Sequence, residues 1–281
     1  RFDLKYPFRT FDYRQLCQIL LDRVDAEVVI ARVKSVQDHG ILTDKGFFES
    51  DRIVDATGWR ATLASSVKAD YAAKRQMSFG LETEVPYRAE GLQFWTDRKV
   101  LKNDAVTWIF PAGEFSRIGI SSYSGRTNLN KGLENFLSGL GLSLGEEIYG
   151  GYFPWSLLEP TVGDIFVVGD AAGQCFGLSG EGIRSSLYFG QICGQIVQKA
   201  IEGDLTLAEA QRKYRAVVKR HAIYFRAMHA LQRLFPHLSD LELYLAGGLI
   251  GLKPVLYFLM WQYWKGSDPD LLSPGPRVKA T

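Results

Sequence analysis

Val167–Val197 reads VVGDAAGQCFGLSGEGIRSSLYFGQICGQIV. The run Asp164–Asp170, DIFVVGD, is a continuous apolar segment of the kind found in buried parallel strands. It leads into a loop with four glycines, Gly173, Gly177, Gly180 and Gly182, and then into a helical pattern. A connecting turn alone does not need so many. A helix beginning near Gly180 turns its first backbone N–H groups, at the positive end of the helix dipole, toward whatever the loop holds. Such an end stabilises negative charge on a ligand. Gly180 and Gly182 carry no Cβ and so permit close backbone approach. Asp170 and Gly169 stand at the carboxyl end of the strand, where α/β sheets bind ligands, and Asp170 can accept hydrogen bonds from ligand hydroxyls. A plain capped helix start with an Asp turn is the other reading of the same residues.

The rest of the chain is ordinary globular material. Its 281 residues suffice for one large domain or two average ones, with 46% hydrophobic and 23% charged residues. A net charge of +2 supplies no basic field for nucleic acid. Cys17, Cys175 and Cys193 are odd in number and widely spaced, which suits reduced thiols in a cytoplasmic protein better than a disulfide framework. His39, His221, His229 and His237 do not cluster with other ligand types, so no metal site is expected. RFDLKYPFRTFDY, at the start, lacks the apolar core of a signal peptide.

Working outward from the loop, FDYRQLCQILL (11–21) has helical spacing with Asp12 as N-cap. Residues 27–54 predict three strands divided by the turns QDHG (37–40) and TDKG (43–46). Residues 76–123 are strand-rich and aromatic and predict an antiparallel sheet. A helix over NLNKGLENFLSGL, then an irregular stretch through Pro154 and Pro160, completes the segment before the opening motif. Beyond it, helices are expected at about 180–201, 206–235 and 240–264, with SPGPRVKAT (273–281) as a disordered tail.

The opening motif resembles the second flavin motif of the hydroxybenzoate-hydroxylase-like flavoproteins, and most of all that of the geranylgeranyl reductase family, GDAAG followed by P-L-[ST]-G-E-G-I. The resemblance implies FAD as cofactor, with Asp170 on the ribityl chain and Gly180, Glu181, Gly182 and Ile183 beside the isoalloxazine ring. Backbone N–H groups there would stabilise the charge of reduced flavin. Gly177 replaces the family's proline, which predicts a looser loop. DRIVDATGWRA (51–61) is similar to the family's strand and Ala-Thr-Gly turn near the dinucleotide, bringing in Thr57 and Gly58. VTWIFPAGEFSRIGIS (106–121) resembles the substrate-domain signature Y-x-W-x-F-P, seven or eight residues, G-x-G. Trp108, Phe110, Pro111 and Gly119 match it, which implies substrate contact for the first three, although core packing is the plainer use of such aromatics. Val106 stands for the Tyr and Ser121 for the last Gly.

The implied fold is α/β with some α+β character: a partial Rossmann-like FAD domain, an inserted antiparallel-sheet substrate domain and C-terminal helices. The segments are 1–70 and 156–202 for the FAD domain, 71–155 for the substrate domain and 203–281 for the helical region. Family members begin with a strand, a G-x-G-x-x-G turn and a helix. GLGLSLG (139–145) has the wrong spacing for that turn and follows a helical pattern. The chain is therefore expected to be a fragment lacking roughly the first hundred residues of a family member.

The resemblance implies reduction of alkene bonds in an isoprenoid or similar lipid, with NAD(P)H or an electron-transfer protein as reductant. It identifies no catalytic residue or proton donor. A monooxygenase or halogenase on the same scaffold, a quinone-linked dehydrogenase and a non-catalytic fragment are the alternatives. Cys175 is expected as a buried filler rather than a redox group, and Glu181 as either a proton relay or a helix-dipole partner. The helix over 206–233 carries seven Lys or Arg residues and one Glu, which suits anionic lipid or a solvated face. Leu243–Trp264 is long and apolar but interrupted by Lys253 and Pro254, predicting a buried or interfacial helical hairpin rather than a span. Either lipid contact would make the cytoplasmic protein a peripheral membrane one.

Overall fold

The computed structural model describes residues 10–72, 76–95 and 105–266. The tail expected to be disordered at 273–281 and most of the N-terminal stretch without a signal core lie outside them.

The first helix, α1 (Tyr13–Leu21), is capped as its sequence requires: the Asp12 carboxylate accepts the N–H groups of Arg14 and Gln15. Three short strands follow, β1 (Val33–Gln37), β2 (Gly40–Thr43) and β3 (Gly46–Glu49), paired antiparallel in that order. The first strand begins six residues later than 27, where the alternation of the sequence suggests it. Residues 27–32 are exposed or half-buried and carry no strand pairing. The turns fall at the expected places, with Asp38 at φ 44° and Gly46 at φ 122°.

The element that positions the opening motif is a small sheet. Strand β4 (Val54–Asp55) lies parallel to β11 (Ile165–Val167), with Val167 opposite Asp55, and β10 (Thr161–Val162) closes the other edge antiparallel. Ile165, Phe166 and Val167 are buried on both faces, as a continuous apolar run should be in a parallel strand. One face packs on Ile53, Leu63 and Ala64, where α2 (Thr62–Val67) sits. The other packs on α4 (Ile183–Ile201) and α5 (Leu207–Leu234) through Tyr188, Phe189, Ile192, Tyr214 and Phe225. Helix α5 starts at a capping box made by Thr206 and Glu209.

Between the parallel strands the chain builds a five-stranded antiparallel sheet in the order β6-β7-β8-β5-β9. Its members are β5 (Met77–Val85), β6 (Gln93–Trp95), β7 (Ala105–Ala112), β8 (Phe115–Ser122) and β9 (Ile148–Pro154). The fifth strand corrects the sequence reading, which left this stretch irregular. Gly150 and Gly151 disguise it, because glycine disfavours an isolated strand, yet pairing with β5 over seven residues fixes it here. One face carries Leu81, Val85, Ile109, Ile118 and Ile120 against Leu129, Leu133 and Leu137 of α3 (Asn130–Gly139) and its cap. The α/β architecture with an inserted antiparallel sheet and C-terminal helices is the one expected from the motifs.

The solvated-face reading of α5 agrees with its burial, while the last two helices depart from expectation. The basic residues of α5 mostly face solvent, with Arg212, Lys213, Lys219, Arg220, Arg226 and Arg233 exposed, while Arg215 donates to Thr161 at 2.7 Å. Residues 240–264 form α6 (Asp240–Ile250) and α7 (Lys253–Lys265), bent by 90° rather than folded back as a hairpin. Pro254 at the start of α7 favours a new helix over continuation of α6. The pair is not buried: Leu241, Tyr244, Leu245, Leu249, Phe258 and Trp261 are all exposed. No single helix among the described residues is long and apolar enough to cross a membrane.

Candidate active site

The parallel pairing of β4 with β11 sets two turns side by side at the carboxyl ends of the strands. Val168 donates to the carbonyl of Asp55 at 2.9 Å, and the turn Gly58–Arg60 packs against the turn Gly169–Ala172. In the first turn, Asp55 is fully buried. It accepts from the N–H of Thr57 at 2.9 Å, from the Thr57 hydroxyl at 2.6 Å and from the N–H of Ala64 at 2.7 Å. The Thr57 oxygen in turn accepts from the N–H of Thr62. Thr57 therefore holds the turn and the start of α2, and Gly58, at φ 68°, faces open space.

The second turn is built just as firmly. Gly169 donates its N–H to the side-chain oxygen of Gln174 at 2.7 Å, and the Gln174 amide donates to Tyr214 at 3.0 Å. The Tyr214 hydroxyl donates to the carbonyl of Val167, and Ser185 of α4 donates to the carbonyl of Gln174 at 2.5 Å. Gln174, Tyr214 and Ser185 are all buried, so the loop is anchored from beneath by a satisfied polar network. Asp170 sits over the start of α4: a Cβ on Gly182 would lie 3.2 Å from its carboxylate and 3.5 Å from the Cys175 sulfur. The helix begins at Ile183 with Gly182 as its cap, slightly later than the sequence suggests. The intervening residues form a bridge between Phe176 and Glu181. Cys175 is a buried filler whose thiol is pushed well up by burial.

Gly177 does not loosen the loop. A Cβ there would meet the Gln232 side-chain oxygen at 2.3 Å and the Cα of Trp155 at 3.1 Å. Gln232 and Trp155 both donate to Ser78, at 3.0 and 2.8 Å, so the loop, the end of α5 and the antiparallel sheet meet at this point. Glu181 is turned away toward α7. Arg184 grips both its carboxylate oxygens, at 3.0 and 2.9 Å, and the Tyr263 hydroxyl donates to it at 2.6 Å. The guanidinium also lies 4.8 Å from the centre of the Trp264 ring. This latch between the loop and α7 joins residues eighty positions apart and has no sequence motif.

The second face of the antiparallel sheet forms one wall of a cavity of about 1250 Å³. That is larger than the few hundred to roughly 1000 Å³ of ordinary small-ligand sites. Strand register orders its floor. Val106, Ser121, Gly80 and Gly151 lie in one row, and Phe94, Trp108, Gly119, Glu82 and Tyr149 in the next. Phe110, Arg117 and Glu84 make the third. The Trp108 indole lies flat across Gly119, where a Cβ would sit 2.1 Å from the ring, and its N–H reaches Glu82 at 2.9 Å. Gly119 is thus the space that the ring occupies. At the other end Phe153 packs by Gly180, 3.7 Å from its Cβ direction, and Leu178, Gly180 and Ile183 line the same cavity.

The structure therefore brings Gly180 and Ile183 together with Trp108 and Phe110. Pro111 follows Phe110 on the strand and falls on the opposite side by alternation. Asp170, Gly169, Gly182, Thr57 and Gly58 form the adjoining turn site rather than the cavity wall. Glu82 and Phe153 were not singled out from sequence. The alternation Gly80, Glu82, Glu84 carries a signal for Glu82, whereas Phe153 sits in a glycine-rich stretch without strand periodicity. Burial pushes the Glu82 carboxyl up from the usual range, against the opposing effects of the Trp108 hydrogen bond and the Arg117 charge. Among the described residues no group of His, Cys, Asp and Glu is placed to hold a metal ion.

No family model matches the chain. Curated proteins do. It is 29% identical over 164 residues to digeranylgeranylglycerophospholipid reductase of Methanocaldococcus jannaschii, covering 54% of this chain and 41% of that protein. It is 38% identical over 105 residues to the enzyme of the same name from Methanococcus aeolicus, covering 34% and 27%. The chloroplastic geranylgeranyl diphosphate reductase of Oryza sativa subsp. japonica is 26% identical over 210 residues, 68% of this chain and 44% of that one. The chain is a relative of the geranylgeranyl reductases. The alignments span less than half the length of these relatives.

Solved structures agree on the fold. A geranylgeranyl bacteriochlorophyll reductase-like protein from Thermoplasma acidophilum superposes with a TM-score of 0.69 at 18% identity, over 84% of this chain and 66% of that one. A flavin-dependent halogenase from Brevundimonas sp. BAL3 gives 0.57 at 12% identity, over 81% and 48%. The chain thus shares its fold with both of these proteins.

Proposed function

We propose that the full protein is an FAD-dependent oxidoreductase that reduces alkene bonds of an isoprenoid or related lipid. The observation that carries this reading is the large cavity lined both by Gly180 and Ile183 of the flavin-like loop and by Trp108 and Phe110 of the substrate-like sheet. An elongated apolar substrate laid across the small-residue row would have one end at the loop and its flank against the aromatic wall in which the Phe110 ring stands 5.3 Å from Phe94 and 6.0 Å from Trp108.

The residues present fit the cofactor. Asp170 stands at a parallel strand end beside a helix cap without a Cβ, and the Gly58 turn faces open space next to it. In this reading Asp170 accepts from the ribityl hydroxyls, Gly169, Thr57 and Gly58 pass along the dinucleotide, and the backbone around Gly180–Ile183, including Glu181 and Gly182, borders the ring. Bound FAD supplies a hydride at its ring when reduced. The chain's own part is to hold the lipid against that edge, keep water off it and offset negative charge with N–H groups. Residues 1–70 and 156–202 would serve the cofactor, 71–155 the substrate and 203–281 the outer helices. NAD(P)H or an electron-transfer protein would reduce the flavin.

The test is expression of the full-length protein, a flavin spectrum, and anaerobic turnover of a polyprenyl lipid with dithionite as reductant. The expected result is a yellow protein and a saturated product. Hydroxylated or halogenated product in air, with none saturated under dithionite, would favour the oxygen-dependent chemistry for which the halogenase likeness speaks.

The exposed side chains of α6 and α7 suit the lipid reading. Leu241, Tyr244, Leu245, Leu249, Phe258 and Trp261 face out beside Lys253, Lys265 and the basic face of α5. The protein is expected to sediment with vesicles containing anionic phospholipid and to be released by Leu245→Glu together with Trp261→Glu. Equal recovery of wild type and variant in the supernatant would contradict peripheral attachment.

A further inference from the structure

We propose that Glu82 is the proton donor of the reduction, set by Trp108 to face the reacting alkene. The inference rests on the reductase reading and names a group that the family signature does not contain. Glu82 is an acid on the cavity floor one row away from the small residues Val106, Ser121, Gly80 and Gly151, where the substrate has room to lie. A row step along a strand is roughly 7 Å, so a carboxyl on a glutamate stem reaches a carbon above the neighbouring row. Trp108 donates to one oxygen, Oε2, at 2.9 Å. That contact leaves Oε1 to carry a proton into the cavity, and the glycine beneath the indole is what lets Trp108 reach across a whole strand to make it. The ring position and the acid contact are therefore one geometric device: register puts Trp108 and Glu82 on either side of Gly119.

Among the described residues, the other charged groups lining this cavity are Arg117, Glu84, Asp12, Arg14, Glu146 and Glu147. Arg117 of β8 and Glu84 of β5 lie in the next row and pair with each other at 3.6 Å, at the more exposed end of the cavity. Tyr149 of β9 is the cross-strand neighbour of Glu82, and its hydroxyl donates to Glu147. Burial outweighs Arg117 and the indole, so the Glu82 carboxyl holds its proton at higher pH than an ordinary glutamate.

The reaction then balances. One alkene carbon gains a hydride, whose electron pair comes from reduced flavin and leaves it oxidised. The other carbon gains the proton of Glu82 as the carbon–carbon π bond is lost. The carboxylate is reprotonated from solvent by way of the Arg117–Glu84 end of the cavity.

Glu82→Gln separates donation from positioning, because the amide oxygen still accepts from Trp108. In the full-length, FAD-loaded protein this variant is expected to keep its flavin spectrum and to slow single-turnover reduction by roughly 100- to 10,000-fold. The wild-type rate should be full at low pH and fall as pH rises through the raised Glu82 value, and the variant should lack that limb. Trp108→Phe removes a hydrogen bond that favours the ionised form, so its limb should move to higher pH while turnover persists. Infrared titration gives a readout independent of turnover: a protonated-carboxyl band absent from Glu82→Gln should disappear above the ordinary glutamate range. A Glu82→Gln protein as fast as wild type, or a carboxyl that ionises in the ordinary range, overturns the assignment of Glu82 alone. A flavin-loaded wild type that forms no saturated product defeats the reductase reading and proton donation with it.

Discussion

Replacing Gly173 by Ala is expected to destabilise the protein by about 3 kcal/mol or more. Two terms act together. The residue sits at φ 68°, where any side chain costs roughly 1–2 kcal/mol. A Cβ there would also lie 2.0 Å from the carbonyl oxygen of Ser156 and 3.1 Å from the Cα of Leu157, both backbone atoms that cannot swing aside. Moving them means moving the segment that bonds to this turn through the N–H of Leu158 and the carbonyl of Ala172. Overpacking of that kind costs another 1–3 kcal/mol or so. Of a typical total of about 5–15 kcal/mol, this is a large share. Urea unfolding of the full-length protein measures it, with Gly190→Ala as control: that glycine is helical and a Cβ meets nothing. Equal midpoints for Gly173→Ala and wild type would show that the turn is not held as described.

Replacing Asp170 by Ala is expected to weaken FAD retention by roughly 10- to 100-fold, since a charge-assisted hydrogen bond is worth about 1.5–3 kcal/mol. The fold should survive. The loop is supported from beneath by Gln174, Tyr214 and Ser185. The measurement is flavin content after gel filtration, from absorbance near about 450 nm, alongside circular dichroism. Unchanged flavin content would remove Asp170 from the cofactor site. Loss of helical signal would mean that the carboxylate holds up the turn instead.

These two residues differ in how far the sequence alone exposes them. Asp170 is legible because a strand end, an acid and a glycine loop lie within one continuous stretch, and backbone geometry over a dozen residues needs no distant partner. Asp12 as a cap and the turns at Asp38 and Gly46 are legible for the same reason. Part of the need for glycine at 173 comes from Ser156, a residue on another segment.

Sequence by itself determined the apolar strand Ile165–Val167, the long helices after it, the antiparallel character of residues 77–122 and the resemblance to flavin-dependent reductases. Each depends on local periodicity or a contiguous motif. Tertiary structure decided what pairing decides: that Gly150 and Gly151 belong to a fifth strand, that Trp108 crosses Gly119 to reach Glu82, and that Glu181 is latched to Arg184 and Tyr263. It also decided that α6 and α7 bend by 90° and face outward. Cross-strand register and contacts eighty residues apart leave no periodic trace along the chain, because the residues that meet are set by where whole strands and helices pack.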